Sequence, residues 1–388
     1  MARLAPESTV SGYSGYSGYS GYSGYSGYSG YSGYSGYGGF DHPATAGAML
    51  TNRDGIVGTW ITPATRPDPH PIEEKTNLAL WGQRERGEIF AFDLCSKIGF
   101  SAGNSSDQQR AVALYHLTLS PSGTATSAPY KPLAGFIAPE PDHFLKQLPL
   151  VHNYSALRGD RAGEIVAQLG LPIPFFGSIT SLHPDRTPKT VELLMVALRL
   201  ASHVVMRVKH SLACRRPHEY SPQIQPMIPV PLHATLPSGH ATEAFIVAYV
   251  LRQLLDASDI KGHHDSIWCE QLMRLASRIA VNRTVAGVHF PVDSAAGCML
   301  GLTVGRYFVA RCNRSGTFTG WRFNGPCFEG DFDWRAILPQ IDAANRRPAP
   351  PQYLERMEDH TLDASESSPA LEWLWTAAKR EWTARPYA

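Results

Sequence analysis

Two cations precede a proline in the first of three segments whose residues could do chemistry together. Lys209 and Arg216 are seven residues apart, and Pro217 follows Arg216. Seven residues are about two helical turns, so a helix here would place both side chains on one face and Arg215 well away from it. Because proline disfavours helix at the preceding residue, Arg216 should lie where the helix opens, with its guanidinium aimed into a cavity. Such a pair is also typical of a solvated helix end.

The second segment places a serine, a glycine and a histidine directly before an apolar run. These residues are Ser238, Gly239 and His240, and Pro237 precedes them. A serine hydroxyl, a glycine that lets backbone N–H groups approach closely and a helix N-terminus together form a cradle for an anion. His240 would then lie in the first turn, beside the anion. The same residues are also typical of an ordinary serine cap with an incidental histidine.

The third segment pairs a histidine with an acid across a predicted helix start. Pro291 fits the first position of a helix, so His289 lies just before it and Asp293 within its first turn. The carboxylate would fix the imidazole tautomer and raise the basicity of the other ring nitrogen, as a nucleophile or metal ligand requires. Arg283 precedes this pair. The ordinary alternative is a histidine in the protein core that forms its hydrogen bond with a nearby acidic residue.

The three ordinary explanations do not all apply at once, because one apolar bundle rarely contains three cations and two histidines unless they share a ligand. We therefore predict one pocket for a tetrahedral oxyanion, either phosphate or vanadate. Its residues would be Lys209, Arg216, Ser238, Gly239, His240, Arg283 and His289.

Long apolar patterns predict the helices that position these segments. Thr187 and Pro188 resemble the cap and first position of a helix that continues to about Cys214, and apolar residues cover most of its circumference. Further helices are predicted over 239–255, 266–286 and 291–311, and a last helix starts at Pro369. The predicted fold class is all-α, a helical bundle with the active site inside it.

The chain divides into four predicted regions. Residues 1–40 form a tail with nine Ser-Gly-Tyr triplets, which contain no aliphatic residue and are predicted to be disordered. This tail either promotes self-association or is a repeat expansion without a role. Residues 41–186 are predicted to be an N-terminal helical region and 187–315 the catalytic bundle. Residues 316–388 would be a C-terminal extension that packs on the core.

Composition excludes several classes of function. The formal net charge of +1, from 35 basic and 34 acidic residues, argues against a protein that coats nucleic acid or an anionic membrane. The six cysteines lack C-x-x-C or zinc-type spacing and are predicted to be reduced core thiols. Neither a signal peptide nor an apolar run of membrane-span length is present, so we expect a cytoplasmic protein without membrane spans, with export by another route left open.

In order, the motifs K-x6-R-P, P-S-G-H and R-x5-H-x3-D resemble the signature of one superfamily. It unites the vanadium-dependent haloperoxidases with the type-2 phosphatidic acid phosphatases (PAP2) and the bacterial acid phosphatases. The resemblance covers residues 209–293 and departs from the family pattern at Asn282, where serine is usual. It implies a site inside a four-helix bundle, and for a haloperoxidase a second bundle that residues 56–190 would supply.

A vanadium-dependent haloperoxidase would use vanadate (orthovanadate) as its cofactor. The resemblance implies that His289 supplies the single protein bond to vanadium, that His240 acts as acid and base and that Lys209 polarises the peroxide. The groups holding the vanadate oxygens would be Lys209, Arg216, Arg283, Ser238 and the Gly239 amide. The partners would be hydrogen peroxide, a halide and a small organic acceptor, and a homodimer is a further implication.

Two alternatives remain open. An acid phosphatase of the same superfamily would form a phosphohistidine intermediate at His289, with Asp293 orienting the ring and His240 protonating the leaving alcohol. A non-catalytic oxyanion-binding or scaffold protein would instead work through the Ser-Gly-Tyr tail.

Haloperoxidase is the function that we expect. The absence of membrane spans disfavours the lipid phosphatases, and the chain is longer than a compact acid phosphatase needs. His233, seven residues before His240, matches an extra pocket histidine of the bromide-oxidising members, which favours bromide or iodide. Met206 argues the other way, because haloperoxidases usually have tryptophan three residues before the lysine.

Overall fold

The computed structural model describes most of the chain after the Ser-Gly-Tyr repeats. The described residues are 43–105, 108–118, 120–122, 125–127, 129–258, 266–313, 316–342 and 349–383. The chain divides into two units, Met1–Asn77 and Leu78–Ala388. The repeats, and the prediction that they are disordered, lie outside the described residues.

In the first unit, the described part contains helix α1 (Pro43–Ile56). A short 3-10 segment, Lys75–Leu80, begins at the end of this unit and continues past its last residue. The second unit is mostly helical. Its helices are α2 (Gln83–Cys95), α3 (Pro141–Tyr154), α4 (Arg158–Ala167), α5 (Ile173–Thr180), α6 (Pro188–Leu212), α7 (Pro217–Tyr220), α8 (Gly239–Ala257), α9 (Ser266–Val285), α10 (Pro291–Cys312), α11 (Trp334–Asp342) and α12 (Pro369–Thr383). Further 3-10 turns are Ser155–Leu157, Pro222–Ile224 and Gly325–Cys327.

The helices that carry the three motifs pack together. Helix α8 contacts α6, α9 and α10, and its side chains from Ala244 to Leu251 are all buried. Helix α6 is buried around most of its circumference, as its apolar pattern predicted. The predicted bounds of these helices agree closely with the observed ones, except that α6 ends at Leu212 rather than near Cys214.

Two glycines allow α8 and α10 to approach closely. A Cβ atom added at Gly297 would lie 2.6 Å from the Ser238 carbonyl oxygen, and one at Gly301 would lie 2.5 Å from that of Thr242. Any larger residue would therefore force the helices apart. This contact holds the first turn of α10 against the N-terminus of α8, where two of the predicted motifs lie.

A five-stranded sheet corrects the prediction of an all-α fold. The strands are β1 (Ile98–Asn104), β2 (Arg110–Leu117), β3 (Ser120–Ser122), β4 (Ala125–Ser127), β5 (Tyr130–Ile137), β6 (Thr317–Asn324) and β7 (Leu354–Thr361). The sheet order is β1-β2-β5-β6-β7, and β3 and β4 form a separate hairpin. All sheet pairs are antiparallel except β5 with β6, where Ala134 lies opposite Trp321 in a parallel register.

The position of the sheet changes the expected organisation. Strands β1, β2 and β5 lie within residues 41–186, which we expected to be helical, and the same region was expected to supply a second bundle. Strands β6 and β7 come from residues 316–388 and complete the same sheet. The helices from α3 to α10 are thus inserted between two neighbouring strands, β5 and β6.

Within the described ranges, no helix has both the length and the hydrophobicity needed to cross a bilayer. All six cysteines are free thiols; Cys214, Cys298 and Cys312 are buried, Cys95 and Cys269 are partly buried, and Cys327 is exposed. The prediction of core thiols is thus wrong for Cys327.

Candidate active site

Lys209 connects the last turn of α6 to the loop that precedes α8. The side chain is buried, and its Nζ atom donates hydrogen bonds of 2.8 Å to the main-chain oxygens of both Ala234 and Thr235. Burial lowers the pKa of Lys209 well below its usual range, and the charge of Arg216 lowers it further, whereas the charge of Asp293 raises it. The ammonium group therefore depends on its loop partners and on nearby negative charge.

Arg216 reaches the same loop by a turn rather than by helical spacing. Helix α6 ends at Leu212, Ala213 adopts a left-handed conformation with φ of 48°, and Arg216 is extended with φ of −85° and ψ of 161°. The predicted seven-residue helical register is therefore wrong over its second half. Pro217 begins the next helix, α7, and Arg216 is extended as the proline predicts, but the preceding helix has already ended before Arg216.

The Arg216 guanidinium joins two loops and contacts a histidine. Its Nε atom donates to the His233 oxygen at 2.8 Å and its Nη1 atom to the Val288 oxygen at 2.7 Å. Its Nη2 atom lies 3.1 Å from His233 Nδ1. The same ring nitrogen also lies 3.2 Å from the main-chain oxygen of Ala234. Burial, then the charges of Lys209 and Arg216, lower the pKa of His233 to about 4, so the ring is neutral.

Ser238 caps α8 and ties it to α10. Its hydroxyl accepts a hydrogen bond of 3.4 Å from the Ala241 amide, and its own amide donates to the main-chain oxygen of Asp293 at 2.9 Å. Gly239 opens the helix, and a Cβ atom there would meet only Val205, at an ordinary 3.8 Å. The packing of the protein itself therefore does not require glycine at this position.

His240 lies in the first turn of α8, as predicted, with one ring nitrogen already engaged. Its Nε2 atom is 3.1 Å from the main-chain oxygen of Gln168. Because a carbonyl only accepts, the ring proton lies on Nε2 and Nδ1 carries the lone pair. Burial, and then the charge of Arg283, lower the pKa of His240 well below its usual range, so the ring is a neutral base.

Gln168 is a site residue that the sequence analysis missed. Its side-chain oxygen accepts from Arg283 Nη2 at 3.0 Å and from Asn282 Nδ2 at 2.9 Å, and its main chain holds His240. Asn282 also donates to Glu164 of helix α4 at 2.9 Å. Asn282, which occupies the position where the family usually has serine, thus takes part in a hydrogen-bond network with α4. No motif connects residue 168 with residues 240 and 283, because only the packing of α4 brings them together.

The pair of His289 and Asp293 has the predicted geometry at the start of α10. His289 Nδ1 lies 3.0 Å from Asp293 Oδ2, which also accepts from the Thr235 hydroxyl at 2.5 Å and from the Phe290 amide at 2.9 Å. Burial raises the pKa of Asp293 to about 6, and burial followed by the charge of Arg216 lowers the pKa of His289. Near neutral pH a carboxylate therefore accepts from a neutral ring.

This hydrogen bond leaves Nε2 of His289 with its lone pair. Among the described residues, no hydrogen bond occupies that atom. The charges of Lys209 and Arg216 both act on the ring. An atom with a free lone pair, close to buried cations, suits bonding to the central atom of an oxyanion. The described residues contain no group of three or more His, Cys, Asp or Glu side chains that could hold a metal ion.

The predicted residues therefore come together from three chain segments. Lys209 and Arg216 both bond the Ala234 oxygen, at 2.8 and 3.4 Å. The charges of Lys209 and Arg283 act on His240. The arrangement gathers buried cations, neutral imidazoles and a capped helix N-terminus, which can stabilise a tetrahedral anion and the trigonal bipyramid that forms from it.

Glu243 is a second residue that the sequence analysis missed. It lies three residues after His240 on α8 and is partly exposed, whereas its neighbours Thr242 and Ala244 are buried. Burial raises its pKa to about 7, and the charge of Lys209 opposes this shift. A charged residue at this spacing in an apolar helix was the available sequence signal.

Comparison with known protein families supports the motif assignment. Residues 191–315 match the family model described as the PAP2 superfamily. The matched range contains all seven residues of the predicted pocket, and it supports the superfamily for this part of the chain. No curated protein matches the chain.

Proposed function

We propose that this chain is a vanadium-dependent haloperoxidase of the PAP2 superfamily, which oxidises bromide or iodide with hydrogen peroxide to hypohalous acid. The observation that supports this most strongly is the His289 ring, whose Nδ1 proton is held by Asp293 at 3.0 Å while buried cations act on it. This arrangement presents one neutral nitrogen ligand to an oxyanion.

The residues present fit orthovanadate as the cofactor. His289 would bond the vanadium through Nε2, and the buried cations would neutralise the oxygens. The oxygen-holding groups would be Lys209, Arg216, Arg283, Ser238 and the Gly239 amide. When bound, vanadate would act as a Lewis acid toward hydrogen peroxide.

The protein's own residues would manage protons and charge. His240 would accept a proton from hydrogen peroxide at Nδ1, because its Nε2 proton is engaged by the Gln168 oxygen at 3.1 Å. Lys209 would polarise the peroxide with its positive charge. The lowered pKa of His240 keeps its ring neutral, so that Nδ1 can accept a proton. Lys209 has to keep its proton for its role, and the negative charge of a bound oxyanion would favour the ammonium form against the lowering effect of burial.

His233 supports the preference for bromide or iodide. The sequence left open whether this histidine matches the extra pocket histidine of bromide-oxidising members or is a solvent-facing loop residue. Its contact of 3.1 Å with Arg216 and the effect of Lys209 on its pKa favour the pocket position. A small organic acceptor of the hypohalous acid and a homodimer remain parts of the proposal.

Phosphate monoester hydrolysis is the second candidate, and the same pair supports it. His289 Nε2 could attack phosphorus while Asp293 holds the ring. His240 would then have to protonate the leaving alcohol, for which the lowered pKa of its ring is less suitable. The PAP2 match covers both kinds of enzyme.

One assay separates the two enzymes. Purified protein, with and without vanadate, is tested for bromination of a phenol dye with peroxide and for hydrolysis of a phenyl phosphate. We expect bromination that requires vanadate. Phosphate release that vanadate inhibits, without any halogenation, would establish the phosphatase instead. Deleting residues 1–40 tests the scaffold alternative, because an enzyme keeps its activity and a tail-driven scaffold loses its assembly.

A further inference from the structure

Thr235 links the loop before α8 to the other two segments of the site. Its amide donates to the main-chain oxygen of Cys214 at 3.0 Å, and its own main-chain oxygen accepts from Lys209 Nζ at 2.8 Å. Its hydroxyl oxygen lies 2.5 Å from Asp293 Oδ2 and 3.1 Å from His289 Nδ1, and the side chain is buried. The backbone and the hydroxyl of this one residue therefore contact both of the other segments.

The Thr235 hydroxyl has one proton, and its partners determine where that proton points. A hydroxyl donates once and accepts through its lone pairs, whereas an ionised carboxylate only accepts. The proton therefore points toward Asp293, and the distance of 2.5 Å is typical of a hydroxyl that donates to a carboxylate. The lone pairs of the hydroxyl oxygen then face His289 Nδ1. Because Nδ1 lies between two acceptors, Asp293 Oδ2 and Thr235 Oγ1, it can satisfy them only as an N–H donor.

Asp293 depends on this hydroxyl because its hydrogen bonds are unevenly distributed. Its Oδ2 atom accepts from Thr235, from the Phe290 amide at 2.9 Å and from the His289 ring at 3.0 Å. Among the described residues, no group bonds its Oδ1 atom. Within that part of the chain, Thr235 is thus the one side chain besides His289 that bonds the carboxylate. Without it, the carboxylate would be held only by the adjacent backbone and by the ring that it orients.

We propose that Thr235 is a positioning residue of the candidate site, whose hydroxyl fixes the Nδ1–H tautomer of His289 so that Nε2 presents its lone pair to the bound oxyanion. The hydroxyl is engaged by His289 and Asp293, so Thr235 acts through the ring and not on the oxyanion itself. This inference rests on the proposed function, because it requires a guest that bonds His289. It holds for vanadate and for a phosphoryl group alike.

Two oxyanions separate this role from a general contribution to the fold. Orthovanadate would bond His289 Nε2, whereas sulfate only accepts hydrogen bonds from the cations and amides of the pocket. Thr235→Val removes the hydroxyl and keeps the branched shape of the side chain. Its vanadate affinity should fall about 10- to 100-fold, as is typical when a supporting partner of a ligating histidine is removed. Its sulfate affinity should stay close to that of the natural chain, and calorimetric titration measures both.

Two further variants make the outcome specific to the hydroxyl of Thr235. Thr235→Ser keeps a hydroxyl and should restore most of the vanadate affinity. Thr303→Val is the matched control, because it removes a buried hydroxyl on α10 that donates to Met299 Sδ at 3.5 Å, and it should bind both anions like the natural chain. An unchanged vanadate affinity in Thr235→Val, or equal losses for vanadate and sulfate without rescue by Thr235→Ser, would overturn the inference.

Nitrogen-15 NMR of protein labelled at histidine tests the tautomer without any oxyanion. The ring signals of His289 are identified by their loss in His289→Gln. At pH 8, where an ordinary histidine is neutral, the natural chain should have a protonated Nδ1 and an unprotonated Nε2. Thr235→Val should give a mixture of the two tautomers. A natural chain in which Nε2 carries the proton would overturn the inference without any variant of Thr235.

The same measurements separate this inference from the proposed function. If the natural chain binds neither anion, the oxyanion pocket itself is wrong and the role of Thr235 fails with it. If vanadate binding depends on the Thr235 hydroxyl while the enzyme assays show only phosphate release, the inference stands and the haloperoxidase proposal fails. If halogenation requires vanadate but vanadate binding ignores the hydroxyl, the proposed function stands and the inference fails.

Discussion

Arg215 and Arg216 are neighbours in the chain with opposite surroundings. Arg216 is 2% exposed and donates to the oxygens of His233 and Val288, whereas Arg215 is exposed. Arg216→Ala should abolish activity and destabilise the fold by at least about 2 kcal/mol, because buried acceptors lose their donors. Arg215→Ala should change stability by less than about 0.5 kcal/mol. Urea denaturation and activity assays check this, and equal losses would contradict the assigned positions.

Gln168 positions two site residues without belonging to any motif. Its side chain accepts from Arg283 at 3.0 Å, so Gln168→Ala should leave that guanidinium less well oriented. Removing such a supporting partner typically lowers activity about 10- to 100-fold. Kinetic constants of this variant should show the loss while circular dichroism stays unchanged. Gln223→Ala, in the 3-10 turn after α7, is the matched control and should have full activity.

Asp293 gives opposite pH dependences to stability and to activity. Burial raises its pKa to about 6, so its contribution to stability is present in the acid form, below about pH 4, and is lost as pH rises through about 6. Activity requires the carboxylate that holds His289 and should fall as pH decreases through about 6. Thermal unfolding and rate profiles from pH 4 to 8 measure both, and Asp293→Asn should remove both dependences.

The residues of the candidate site were mostly predictable, because their types and spacings repeat a known motif order. Ser238, His240, Pro291 and Asp293 lie at the helix starts that their capping chemistry indicates. Gln168 could not be identified in this way. Its role depends on which side chains become neighbours after packing, and local sequence does not encode that.

At the scale of elements, the contact between α8 and α10 depends on glycine. A Cβ atom at Gly297 would lie 2.6 Å from the Ser238 oxygen, so Gly297→Ala should push apart the two helix starts that carry Ser238 and Asp293. Overpacking of this kind costs about 1 to 3 kcal/mol. Denaturation midpoints and sulfate affinity should both decrease. Gly163→Ala on α4, where nothing lies within 4 Å, is the control and should not destabilise the protein.

Helices were easier to predict than strands for a physical reason. The long helices have a proline or a cap at their start and apolar residues at helical spacing. The strands of the sheet give weaker signals, because β5 is buried at four consecutive positions and β6 also lacks alternation. Strands covered on both faces do not alternate. Among the described strands of this sheet, only β2 alternates, with Val112, Leu114 and His116 buried. The end of α6 was misplaced because Ala213 is left-handed, which its residue type does not indicate.

At the scale of the whole molecule, the bundle depends on both flanking regions. Helix α12 packs on α6, where Glu381 accepts from the amides of Lys189 and Thr190 at 2.6 and 2.8 Å. The buried Trp382 donates to the Thr190 hydroxyl at 2.9 Å. The C-terminal helix thereby caps the N-terminus of α6.

Residues 187–315 should therefore not fold as an independent domain. This fragment lacks both the sheet that covers α10 and the helix that caps α6. Expressed alone, it should give poorly dispersed NMR spectra and rapid proteolysis, whereas a chain starting at residue 41 should resist protease. A stable, sulfate-binding 187–315 fragment would contradict this expectation.

Lys209 and Arg216 stabilise the loop before α8 in addition to supplying positive charge, because both donate hydrogen bonds to main-chain oxygens of that loop. Redesign of this pocket for a neutral or cationic guest cannot simply delete them. An engineer would first have to supply other donors for the oxygens of Ala234, Thr235 and His233. A library that varies the loop together with positions 209 and 216 should yield folded variants far more often than one that varies the two cations alone.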